Sequence, residues 1–152
     1  MNKKMLYRIL NILCLAIMVG SLAWLILYWK KIPDEIPTHF NVYGEADNFG
    51  SKKSIIILPI FAWMIYGMIS LIECFPGAWN TGVKVTPENS ARVYGILKSM
   101  IVILKLFVVL TFTLLMVFSA ISKGLPVWLL PVELVGIFGT IIVSLIRLYK
   151  VR

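Results

Sequence analysis

The chain has little charge for its length. Only 14% of its 152 residues are charged and 60% are hydrophobic, whereas soluble domains are about 25% charged and about 45–50% apolar. A soluble fold of this size leaves about a third of its chain surface in water, so it could not hide this many apolar side chains. The composition therefore predicts that much of the surface faces lipid.

Histidine and cysteine are equally scarce. The chain has one histidine, His39, and two cysteines, Cys14 and Cys74. Zinc sites use three or four His, Cys or carboxylate ligands, and disulfide frameworks need more cysteines at regular spacing. We expect no disulfide framework, no bound metal and no cofactor.

Acidic residues are outnumbered by basic ones, 7 to 15, which gives a formal charge of +8. Nucleic-acid binding would need these cations on one face of a water-exposed domain. Here they cluster at the ends of the apolar runs, which is the membrane pattern. We expect the lipid bilayer as a partner and no nucleic acid.

Long apolar runs occur four times. A bilayer core of about 30 Å needs about 20 helical residues, and the sequence predicts helices over residues 9–29, 54–72, 87–122 and 125–146. The first run is longer than the apolar part of a signal peptide, about 7–15 residues, so we expect it to stay uncleaved. The predicted fold class is an all-α integral membrane protein. It has a single membrane domain over 1–152 and a structured, proline-containing loop over 30–53.

Several local patterns predict where these helices begin, bend and end. Thr86-Pro87-Glu88 indicates the start of the third helix, with Thr86 as the cap and Pro87 at the first helical position. Pro131 predicts a kink in the fourth helix. Turns are predicted at 41–44 and 48–51.

The basic residues also predict the orientation. With the amino terminus inside, nine lysines and arginines lie on the cytoplasmic side and five on the other. The positive-inside rule then places both termini in the cytoplasm and the 30–53 loop outside. The predicted location is the cell membrane, with several passes.

The loop begins with the segment IPDEIPTHFN, residues 32–41. Pro33 and Pro37 fix φ and favour extended backbone at the residues before them, so the segment should be stiff and non-helical. In the simplest interpretation His39 bonds loop backbone, while the acids pair with four lysines: Lys30, Lys31, Lys52 and Lys53.

Three chemical interpretations of the same loop are weaker. A metal site would use His39 with Glu35 or Asp47, which is a poor ligand set. A calcium loop starting at Glu45 would need an acid where Ile56 stands. Acid–base catalysis by His39 and a carboxylate lacks a nucleophile in a recognisable motif. We therefore expect no catalytic residue and no enzyme.

The segment from Ile32 to Asn41, followed by Gly44, Asp47, Gly50 and Lys52, resembles the signature of a bacterial membrane domain of unknown function. That domain is shared with the SdpI-type toxin-immunity proteins. The likeness continues in Trp79-Asn80 and in 83–89, as in short four-helix members. It implies a bacterial envelope protein and, in SdpI-type proteins, protection against a secreted toxic peptide coupled to sequestration of a regulator. The signature residues are candidates for ligand recognition or for structure: Pro33, Pro37, His39, Phe40, Asn41, Gly44, Asp47 and Lys52.

Two ionisable residues, Lys105 and Glu133, lie inside the apolar runs. Such residues are functional candidates by default. For Lys105 we favour snorkelling to the cytoplasmic interface over pairing with Glu133. Glu133 is expected to be protonated or hydrogen-bonded near the Pro131 kink. Glycines that could allow close helix contacts are Gly67, Gly136 and Gly139.

Together these patterns favour a non-enzymatic binding, immunity or signalling protein of the bacterial envelope. Its outer loop would recognise a peptide or another envelope ligand. A secreted peptide, another membrane protein, a cytoplasmic regulator and a second copy of the chain remain open as partners. The alternative is a small transporter or channel component that uses Glu133 and Lys105.

Overall fold

The computed structural model describes residues 3–151 and contains four long helices and one β-hairpin. The elements, in chain order, are α1 Lys3–Tyr28, β1 Glu35–Phe40, β2 Ala46–Ser51, α2 Ile57–Glu73, α3 Ser90–Ala120 and α4 Leu129–Lys150. Short 3₁₀ turns cover Trp29–Lys31, Lys52–Ile56 and Pro76–Ala78.

The prediction of four helices long and apolar enough to span a membrane is confirmed. Their bounds differ from the predicted ones at charged and uncharged ends alike, and α4 begins at Leu129 rather than at residue 125. The first helix already begins at Lys3 and the fourth continues to Lys150, because helical hydrogen bonding does not stop where the apolar run stops. The small sheet is the one departure from an all-helical chain within residues 3–151.

Helix α3 is the central element of the bundle. It packs against α1, α2 and α4, and buried side chains recur along its length, from Val93 through Val102 and Val109 to Met116. The other three helices keep many large apolar side chains on the outside. In a protein with four membrane-type helices, those side chains face lipid.

The start of α3 differs from the prediction. The helix begins at Ser90, and Thr86 is not its cap. The Asn89 side chain instead fastens the preceding turn: its Oδ1 accepts from the Thr86 N–H at 2.8 Å, and its Nδ2 donates to the carbonyls of Lys84 at 3.0 Å and Val151 at 3.1 Å. The Thr86 hydroxyl bonds the Glu88 carboxylate and thereby lowers the pKa of Glu88. The start of α3 is thus tied to the end of α4.

The sequence predicts a kink at Pro131 and close helix contacts at three glycines, and the structure shows a smaller role for most of these residues. Pro131 is the third residue of α4, in the first turn, where a missing N–H costs no helical hydrogen bond. Gly136 allows close contact, because a Cβ there would lie 2.1 Å from Cζ of Phe107 on α3. Gly67 and Gly139 face open space.

The 30–53 loop folds as an antiparallel hairpin. Glu35 pairs with Ser51 and Phe40 with Ala46, with irregular register on either side of His39. The turn predicted at 41–44 is present. The turn predicted at 48–51 is wrong, because these residues lie in β2. Pairing with β1 holds them extended despite their turn-forming composition.

A candidate site between the hairpin and the end of the helix bundle

Asn41 organises the turn of the hairpin. Its side-chain oxygen accepts from the N–H groups of Tyr43 at 2.9 Å and Glu45 at 3.0 Å. Its amide nitrogen donates to Oε2 of Glu45 at 2.9 Å. An Asx side chain that satisfies backbone donors in this way fixes a turn. The Asn41 of the signature therefore has a structural task.

Two polar side-chain pairs link the two sides of the hairpin. Nδ1 of His39 lies 2.5 Å from Oδ1 of Asp47, and Nζ of Lys52 lies 2.7 Å from Oδ1 of Asp34. The hydrogen bond from Lys52 lowers the pKa of Asp34. His39 thus pairs with a carboxylate and not with loop backbone, as the simplest interpretation had it. Both pairs are largely exposed, so each contributes little to stability.

The apolar face of the hairpin anchors it to the bundle. Ile36 is 1% exposed, and it joins a buried cluster with Ile32, Ile55 and Met116. Pro37 is buried beside it, whereas Pro33 is exposed. Pro33 precedes β1, whereas the adjacent residues Ile36 and Pro37 are both buried, so burial in β1 does not follow the simple alternation of a strand.

Gly44 docks the hairpin turn onto the link between α3 and α4. It adopts φ +80°, and its carbonyl accepts from the Leu125 N–H at 2.7 Å. A Cβ on Gly44 would lie 2.4 Å from the Leu125 carbonyl oxygen. A Cβ on Gly124 would lie 3.0 Å from the Gly44 oxygen. Both glycines permit the two backbones to touch.

This docking forms one side of an open cavity of about 380 Å³, here called the hairpin cavity. It lies between β1, its turn, the 125–127 link and the facing parts of α3 and α4. Among the side chains that line it are Thr38, His39, Phe40, Asn41, Thr111, Leu115, Leu130 and Glu133. Cavities of about 300–1,000 Å³ with mostly apolar walls and a few polar groups are typical of ligand sites.

Glu133 is the acid of this cavity. Its side chain is only 8% exposed, and Oε2 has no hydrogen-bond partner within the described chain. The Thr111 hydroxyl lies beside the same carboxyl group, but it donates its one proton to the carbonyl of Phe107 at 2.9 Å. A buried polar oxygen without a donor costs free energy. The site therefore favours a ligand that donates a hydrogen bond.

Lys105 does not belong to this cavity, and the prediction that it snorkels is wrong. Its side chain is 1% exposed, and its Nζ lies 2.6 Å from Oε2 of Glu73 and 3.1 Å from Oγ of Ser70. The ammonium also lies 4.9 Å from the centre of the Tyr66 ring. A fully paired ammonium has no need to reach the interface.

Sequence reasoning missed three participants. Glu73 directly follows the helix predicted over residues 54–72, and the predicted orientation puts it on the same side of the membrane as Lys105. Counting helical depth could therefore have found the pair. Thr111 and Leu125 carried no signal, because a single threonine or leucine in an apolar run is common.

Residues 3–151 contain no group of three or more His, Cys, Asp or Glu side chains arranged to hold a metal ion. His39 and Asp47 are the two such side chains that meet on the hairpin. Cys14 is buried and Cys74 exposed, and both are free thiols.

The hairpin lies within the part of the chain that matches a known family. A family described as "Domain of unknown function (DUF1648)" matches residues 16–63. The match covers the second half of α1, the hairpin and the first part of α2, about a third of the chain. An uncharacterized protein of Archaeoglobus fulgidus is 44% identical over 41 residues. That alignment covers 26% of this chain and 22% of the archaeal protein. No solved structure matches this chain.

Proposed function

We propose that this multi-pass membrane-type protein is a non-enzymatic binding protein whose hairpin cavity takes an apolar ligand with a hydrogen-bond donor, such as an apolar peptide segment with its amino group. The observation that carries the proposal is the common lining of one cavity. The signature residues Thr38 to Asn41 and the buried residue Glu133 line the same cavity. The matched family region supplies one wall, and α3 and α4 supply the other.

The walls specify the chemistry of the ligand. Apolar side chains such as Leu115 and Leu130 favour an apolar body. The unpartnered oxygen of Glu133 favours one donor at a defined place. Exposed Val42 and Val127 form part of the rim, so the rim itself can contact an apolar chain.

An immunity or signalling role is the further step of this proposal. It is supported by the resemblance of the hairpin segment to SdpI-type proteins, which implies protection against a secreted peptide. A cytoplasmic regulator as a second partner remains a prediction. The transporter alternative also remains a prediction, and the pairing of Lys105 with Glu73 lends it no support.

Glu133→Gln tests the proposed site. We expect Leu-Val-Leu amide with a free amino terminus to raise the melting temperature of the detergent-purified protein, because a ligand that binds only the folded state stabilises it. The variant should bind this probe about tenfold more weakly, since the amide replaces one carboxyl oxygen with an NH₂ group that cannot accept the ligand's hydrogen bond. Tryptophan fluorescence titration measures the affinity, because Trp128 adjoins two residues of the cavity wall.

Glu35→Gln is the matched control, because Glu35 is an exposed acid on the same hairpin outside the cavity. It should bind the probe like the parent protein. Equal affinity of all three proteins would contradict a role for Glu133. No melting shift in the parent protein would contradict this class of ligand.

The orientation of the hairpin is tested by cysteine labelling. Asn48→Cys in a Cys14→Ala, Cys74→Ala background places one thiol on the exposed side of β2. We expect an impermeant maleimide to label intact cells, because the positive-inside rule puts the hairpin outside. Labelling only after permeabilisation would invert the orientation and would exclude secreted peptides as ligands.

A further inference from the structure

A second cavity lies at the opposite end of the bundle from the hairpin. Its volume is about 620 Å³, and it is here called the basic cavity. The first turns of α1 and α3 and the end of α2 form its walls. Its polar and aromatic lining includes Tyr7, Arg8, Glu73, Trp79, Tyr94 and Lys98.

The basic cavity carries an excess of positive charge. The carboxylate of Glu73 pairs with two lysines. Its Oε2 lies 2.6 Å from Nζ of Lys105, and its Oε1 lies 3.4 Å from Nζ of Lys98. One positive charge is therefore uncompensated at this carboxylate. Arg8 lines the same cavity from α1 and adds to the excess. An anion entering here would meet cations from two helices.

The depth of the cavity matches that of lipid headgroups. Helix α3 has 31 residues and is about 46 Å long at about 1.5 Å per residue, which exceeds a hydrocarbon core of about 30 Å by about 16 Å. Lys98 lies about 12 Å from the start of α3 on that rise. With the excess length at this end, Lys98 lies at the boundary between headgroups and acyl chains.

The remaining walls suit the other parts of a lipid. Trp79 and Tyr94 lie with ring centres 6.0 Å apart, and such aromatic residues prefer the membrane interface. Ile12 and Leu15 continue the wall along α1 towards the membrane centre. The cavity thus passes from cationic to aromatic to apolar side chains.

We propose that the basic cavity binds the phosphate of an anionic phospholipid such as phosphatidylglycerol. Arg8 and Lys98 donate to the phosphate oxygens, and Ile12 and Leu15 contact an acyl chain. Basic pockets between membrane helices bind anionic headgroups by this chemistry. The site is separate from the hairpin cavity, so it stands or falls independently of the proposed ligand there.

Native mass spectrometry of the detergent-purified chain tests this site. Phosphatidylglycerol and phosphatidylcholine with identical acyl chains are titrated separately. We expect one tightly held phosphatidylglycerol and no comparable phosphatidylcholine. Arg8→Gln/Lys98→Gln should weaken the phosphatidylglycerol complex at least about tenfold, because two charge-assisted contacts are lost.

Arg147→Gln/Lys150→Gln is the matched control. It removes the same charge near the end of α4, which lies beside the start of α3, but neither residue lines the basic cavity. This variant should keep its phosphatidylglycerol. If both double variants lost the same affinity for phosphatidylglycerol, the lipid would be held by diffuse attraction to the positive surface. That result would contradict a specific site in the basic cavity.

Glycerol 3-phosphate distinguishes the two sources of the phosphate. If it displaces the lipid at comparable concentration, the cavity binds a soluble phosphate and the assignment to a lipid is overturned. If it does not compete, the acyl chain contributes and the lipid is supported. The single variant Arg8→Gln should fold normally, because Arg8 is exposed. It should still weaken the phosphatidylglycerol complex, so a loss in the double variant cannot be ascribed to misfolding alone.

Discussion

Gly44→Ala is expected to destabilise the protein by about 2–5 kcal/mol and to abolish binding at the hairpin cavity. The left-handed backbone, φ +80°, costs about 1–2 kcal/mol with a side chain. The new methyl group would lie 2.4 Å from the Leu125 carbonyl oxygen, and relieving such overpacking typically costs another 1–3 kcal/mol, approximately. The turn must then leave the link, and the cavity loses a wall.

Gly82→Ala is the matched control for this substitution. Gly82 also has positive φ, +64°, but nothing lies within 4 Å of an added Cβ. It should show the backbone cost of about 1–2 kcal/mol alone and should retain probe binding. Melting temperature in detergent and fluorescence titration measure both effects. If the two variants lose equal stability and both bind the probe, the close approach of Gly44 to Leu125 has no consequence.

The hairpin shows how far the sequence could predict the fold. Pro33 and Pro37 indicated extended, non-helical backbone, but proline in a strand argues against a sheet. The partner strand carries Asn48 and Gly50 and has no alternating apolar pattern, so its composition indicated a turn. The pairing exists because Ile36 is buried against the bundle, and that contact is tertiary.

Only part of the candidate site could be predicted from the sequence, for the same reason. Glu133 could be singled out as an acid in an apolar run, and His39 and Asn41 as unusual loop residues. Their approach to a single cavity depends on the contact between Gly44 and Leu125, residues 81 positions apart in the chain. No local pattern encodes that distance.

The paired charges of the bundle, Lys105 and Glu73, show a different limit of prediction from the sequence. Lys105 was assigned to the interface because snorkelling costs less than an unpaired charge in lipid. That comparison omitted a partner on α2. Glu73 follows an apolar run, and from the sequence it resembles a residue that simply ends the helix. In the structure it is the last residue of α2, and its carboxylate also pairs with Lys105.

Glu73→Gln is expected to destabilise the protein by about 3–5 kcal/mol, because it leaves the buried Lys105 ammonium without a counter-charge. Lys105→Met should cost less, since Glu73 keeps Lys98 at 3.4 Å. The double variant Glu73→Gln/Lys105→Met should recover much of the loss, because a neutral pair leaves no isolated charge in the core. Melting temperatures in one detergent give this order, and the double-variant cycle gives the coupling energy.

Glu35→Gln again serves as the control, because it removes an exposed carboxylate with no buried partner, and it should melt with the parent protein. Two results would contradict an ionised pair: parental stability of Glu73→Gln, or additive losses in the double variant. A stable Glu73→Gln would mean that Lys105 sheds its charge when its partner is removed or reaches water by another route. A recovered double variant would instead show that the pair contributes little net stability.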